Sequence, residues 1–171
     1  GRFDNFRVQV LPPTWTLNVT DDFAPPVVEV PRTSQSSGWV EASGKLTGTV
    51  SGTAPAVQTA NLGVSLLSNS ILEMEVDVQT AGVAGFVFDR YDALHYKFIT
   101  LDVATDRVLV GHATADDGVV VDRAYAFALD AGTVNHLKVT MQGAGLSINV
   151  NGSAVANVGF NAALVDDASA G

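Results

Sequence analysis

From Trp39 onward, apolar and polar residues alternate in short runs separated by glycine, asparagine, aspartate and serine. Alternation of that kind reads as half-buried β-strands joined by turns. The runs fall at 39–42, 45–50, 56–60, 71–78, 85–88, 95–103, 107–110, 119–122, 135–141, 146–150 and 153–158. The clearest is 71–78, where Leu72, Met74, Val76 and Val78 make one face and Glu73, Glu75, Asp77 and then Gln79 the other. One face meets a core and the other meets water. Asn151-Gly152 sits between two such runs and predicts a type I′ hairpin, whose central residues both need positive φ. No segment sustains an apolar period of 3.6, so the expectation is an all-β antiparallel β-sandwich, a jelly roll, with at most a helical turn near 161–165.

The first third differs. Residues 5–10 alternate, with Phe6, Val8 and Val10 on one face, and Pro12 and Pro13 end the run. Trp15 to Thr20 alternates again, as a second strand or an extended connector. All six prolines fall at or before Pro55, so none would interrupt the later ladder. Residues 161–171 run out in small and acidic residues without a closing strand. The predicted organisation is therefore a displaced closing strand at 1–10, completing its own or a neighbouring domain, a linker or extra strand at 11–22, and the sandwich at 23–171.

Composition narrows the function. Eighteen acidic against nine basic residues give a formal charge of −9, and no basic cluster offsets phosphate repulsion, which argues against nucleic acid. No run approaches the roughly 20 apolar residues of a membrane-spanning helix, and no signal peptide opens the chain. Cysteine is absent, which removes thiolate metal sites, thiol catalysis and disulfides. Together with few lysines and many Gly, Thr, Ser and Val, this suits a secreted or cell-surface bacterial protein.

The order Asp22-Phe23, Gly38-Trp39, 44–48, 72–78, 84–89, Tyr96-Lys97-Phe98, 136–140 and 146–152 resembles the concanavalin A-like lectin and glucanase superfamily, the laminin-G-like bacterial surface modules in particular. In those modules a last strand of the form Phe-Asp-Asn-Phe-Arg-Val closes the sheet. Here that string occurs at Phe3 to Val8, which makes Phe3, Phe6, Val8 and Val10 the expected packing anchors of a strand folded in cis or donated to a neighbouring copy.

The same resemblance implies candidate sites. Glu75-Val-Asp77-Val-Gln79 is similar to the acid-x-acid-x-acid strand of laminarinase-like members. The third position is an amide that cannot give and recover a proton, so no catalysis is expected. A structural calcium ion is the cofactor the resemblance suggests, with Asp4, Asp21 and Asp22 as candidate ligands, and Asp116-Asp117 and Asp166-Asp167 as alternatives that also suit turns. Asp89, Tyr91, Asp92 and His95, with Arg90, form the best cluster for a sugar. His95, His112 and His136 lack zinc spacing and read as ordinary strand residues. The function expected from the sequence is a noncatalytic structural or adhesive repeat of a large extracellular protein or filament, linked head to tail with neighbouring copies. A lectin-like carbohydrate-binding module, with calcium, is the alternative.

Overall fold

A computed structural model describes residues 17–24, 32–34, 38–50, 52, 54–60, 62 and 71–159. The expected closing strand, with Phe3, Asp4, Phe6, Val8 and Val10, lies outside the described residues, as do Asp166-Asp167 and the turn expected near 161–165. The chain divides into two compact units, Gly1–Val64 and Ser65–Gly171. That division falls inside the 23–171 stretch expected to be one sandwich.

In the first unit, β1 (Arg32–Ser34) pairs antiparallel with β4 (Gln58–Ala60), and β2 (Trp39–Ala42) pairs with β3 (Lys45–Gly48). The described part of the 11–22 stretch, residues 17–22, joins no ladder with the described strands.

The second unit is a sandwich of two four-stranded antiparallel sheets. One contains β5 (Ile71–Gln79), β10 (Val134–Gln142), β11 (Gly145–Val150) and β12 (Ser153–Gly159), in the order β12-β11-β10-β5. The other contains β6 (Val83–Phe88), β7 (Tyr96–Asp102), β8 (Arg107–Thr114) and β9 (Gly118–Ala126), in sequence order. The alternation anticipated on 71–78 is realised, with residues 72, 74, 76 and 78 turned inward. Val78, Leu137, Val139, Leu146, Ile148 and Val150 from one sheet close on Phe88, Ile99, Leu101, Val108 and Val110 from the other. Burying these apolar faces against each other is the main stabilising contribution.

β7 is apolar on both sides. Its other face carries Tyr96 and Phe98, which pack with Ala113, Val87 and Leu109 in a second cluster. The Asn151-Gly152 turn has φ values of 52° and 77°, as a type I′ hairpin requires. β8 and β9 run further than their apolar patterns suggested, to Thr114 and Ala126, because a bulge at Val110/Gly111 carries the ladder past the glycine. Gly111 is needed there: a Cβ would lie 2.1 Å from the Val120 carbonyl oxygen and 2.4 Å from the Phe98 ring.

Candidate functional site

β6 ends at Phe88, and the chain must cross to β7, leaving residues 89–95 as a loop at the end of the sandwich opposite the 80–82 turn. Asp92 organises it. Its Oδ1 accepts the backbone N–H groups of Leu94 at 2.7 Å and His95 at 2.9 Å, and both carboxylate oxygens lie 2.9 Å from His95 Nδ1. The Tyr91 N–H donates to the His95 carbonyl at 3.0 Å, which closes the loop. The Ala115 N–H points at His95 Nε2 at 3.4 Å. The Leu94 N–H, and then the His95 ring, hold the Asp92 carboxyl below the usual aspartate range.

This bonding leaves two large side chains outside. Tyr91 is 54% exposed and Leu94 57% exposed, although a loop of seven residues could have turned either inward. Four residues were expected to act together here, and the structure separates one of them. Asp89, at φ 45°, pairs with Lys97, which sits buried on the inner face between its cross-strand partners Phe88 and His112. His112 is itself buried and bonds Asp122 at 2.8 Å. Charges taken from water in this way need partners, so Asp89 and Asp122 serve the fold. Tyr91, Asp92 and His95 remain together at the surface. Trp39 is half-buried and Tyr96 buried, so neither ring is offered to solvent as Tyr91 is.

The outer face of the β12-β11-β10-β5 sheet is polar along the middle of β5 and β10, with the exposed Ile71 and Val134 at the ends of that stretch. Register sets Glu75 opposite Lys138, Asp77 opposite His136 and Glu73 opposite Thr140. Lys138 Nζ lies 2.9 Å from both Glu73 and Glu75, His136 Nδ1 lies 2.9 Å from Asp77, and Gln79 donates to the Gly132 carbonyl at 2.6 Å. Lys138 holds the Glu75 carboxyl below its ordinary range. A glycosidase acid needs the opposite shift, a carboxyl kept protonated near neutrality. The basic row on β10 was not anticipated, because only the register brings it against the acidic row on β5.

Asp21 and Asp22 do not fit a calcium site as they stand. Arg32 pairs with both Asp21 and Glu41, and its guanidinium carbon lies 5.1 Å from the Phe23 ring centroid. The second Asp21 oxygen accepts the Phe23 N–H at 3.0 Å, and Asp22 accepts the Ala24 N–H at 2.9 Å. A cation at Asp21 would meet a guanidinium already in place. Among the described residues, no group of three or more His, Cys, Asp or Glu side chains is placed to hold a metal.

Two facing antiparallel sheets with the 89–95 loop at one end define an all-β antiparallel sandwich. Among solved structures, the chain is similar to the carbohydrate-binding module CBM66 from Bacillus subtilis, with a TM-score of 0.63 and 18% identity over 75% of this chain and 78% of that one. At this identity the likeness carries the fold, in line with the concanavalin A-like architecture expected. No family model and no curated protein matches the sequence.

Proposed function

We propose that this protein is a noncatalytic carbohydrate-binding module that acts outside the cell, with the 89–95 loop as its contact site. The observation that carries this reading is Tyr91, an aromatic ring held out to solvent on a loop whose backbone Asp92 and His95 make rigid. An aromatic face stacks on the C–H face of a sugar ring, and a prearranged loop lowers the entropy lost on binding. The half-exposed Asp92 carboxylate stands beside it with lone pairs for sugar hydroxyls, and His95 holds that carboxylate in place.

The likeness to a carbohydrate-binding module supports this reading over the structural, adhesive repeat that the sequence had favoured. The absence of catalysis is part of the proposal. It is supported by Gln79 in the third position of the acidic strand and by the lowered Glu75 carboxyl. Glycan-array binding and titration calorimetry test the reading together. Tyr91→Ala should weaken affinity by about tenfold, equivalent to roughly 1.4 kcal/mol, without a change in melting temperature. Failure of the parent protein to bind any glycan would refute it.

A further inference from the structure

The loop does not account for a second feature at the same end of the sandwich. An open depression of about 440 Å³ lies on the outer face of the β12-β11-β10-β5 sheet, within the roughly 300–1,000 Å³ range of small-molecule sites. Its origin is visible in the register. Ile71, Gln142, Gly145 and Gly159 follow one another across the four strands, so two adjacent strands present no side chain at all. The next row supplies the opposite wall from Thr140, Ser147 and Asn157, with Glu73 beside Thr140 but outside the lining.

That wall has a definite chemistry. Ser147 donates to Asn157 Oδ1 at 2.6 Å, which uses neither the Asn157 amide N–H groups nor the serine lone pairs. Thr140 leans to Glu73 at 3.4 Å, and Glu73 is already held by Lys138. Among the described residues, the Gln142 side-chain amide has no protein hydrogen bond and can both donate and accept. Ile71, 65% exposed, supplies an apolar wall. The lining residues carry no charge of either sign. Neighbouring strands stand about 4.8 Å apart, a spacing at which hydroxyls on one sugar ring can bridge two of them.

We propose that this depression is a second subsite, for one unit of a neutral, hydroxyl-rich saccharide. The inference rests on the carbohydrate-binding reading and deepens it. A sugar hydroxyl is donor and acceptor at once, as are the groups that meet it here, whereas a carboxylated or sulfated sugar would find no cation in the lining. Two weak sites at one end of a module, engaged by one polysaccharide, raise apparent affinity without any new contact.

Gly159 offers a direct test. A Cβ there meets nothing within 4 Å, so Gly159→Leu fills the hollow without strain. Affinity electrophoresis of the full chain against glucan, xylan, mannan and fructan, with polygalacturonate as the anionic arm, compares the parent with Gly159→Leu, Asn157→Ala, Tyr91→Ala and the Tyr91→Ala/Gly159→Leu double variant. The expected result is retention of one or more neutral polysaccharides. Gly159→Leu and Asn157→Ala should each lower affinity by about five- to tenfold at unchanged melting temperature, and the double variant should lose more than either single one. Parent-like binding by both hollow variants, with binding lost in Tyr91→Ala, would overturn the subsite and leave the functional reading standing. A parent that retains no glycan overturns both. Should Gly159→Leu fold poorly, Asn157→Ala alone decides, because its side chain is exposed and outside the core.

Discussion

At the scale of single residues, two glycines separate structural from functional constraint. Gly111 lies where the Phe98 ring and the Val120 carbonyl approach, so Gly111→Ala forces a bulge and a ring to move. We expect a loss of about 1–3 kcal/mol, the usual effect of overpacking, read from urea denaturation. Gly159→Ala, with open space above it, should unfold within about 0.5 kcal/mol of the parent. Asp92 gives a pH prediction whose sign follows from its depressed carboxyl. A group with a lowered folded pKa stabilises the native loop above its unfolded pKa, and the effect disappears as pH falls through the lower folded value. The amide resonances of Leu94 and His95 should therefore hold their positions through the ordinary aspartate range and move only at more acid pH. In Asp92→Asn the acid transition should be absent.

At the scale of elements, the facing rows of β5 and β10 make Lys138 the neutralising group for two carboxylates. Replacing it by methionine should return Glu75 toward its ordinary carboxylate value, because its largest lowering interaction is the Lys138 hydrogen bond. Glu75 now favours folding above its unfolded pKa and ceases to do so on acidification. Lys138→Met should therefore reduce stability at neutral pH and flatten the acid limb of the stability curve, with the difference from the parent shrinking as salt is added. A carbon-detected NMR titration of Glu75 checks this directly. The same pair of strands marks what could be read in advance. Alternation on 71–78 and 135–141 told which residues face out, because strand period is local. Which acid meets which base depends on register, and register is set by contacts between residues about sixty positions apart. The Tyr91, Asp92 and His95 cluster was legible since it lies within five residues. Asp89 left it because Lys97, buried beside Phe88, needed a counter-charge. The hollow was invisible for the reason that hid the basic row: Gly145 and Gly159 become neighbours only when β11 and β12 pair.

At the scale of the whole molecule, charge decides what kind of polysaccharide the chain can meet. The formal charge is −9 with nine basic residues in all, and Arg32, Lys97 and Lys138 are committed to carboxylates. A polyanion approaching this surface is repelled at long range and finds few cations to receive it, whereas a neutral chain is indifferent to the field. Screening distinguishes the two cases, since ions at 0.1 M shorten electrostatic reach to about 10 Å. We therefore expect binding of neutral polysaccharide to change by less than about twofold between low and physiological salt, because hydrogen bonds and ring stacking do not depend on long-range charge. Polygalacturonate and heparin should fail to bind even at low ionic strength, where attraction to any hidden basic patch would be strongest. Surface plasmon resonance over a salt series measures both. Tight, salt-sensitive capture of a polyanion would contradict the neutral-ligand reading at the level of the whole charge distribution, independently of Tyr91 or the hollow.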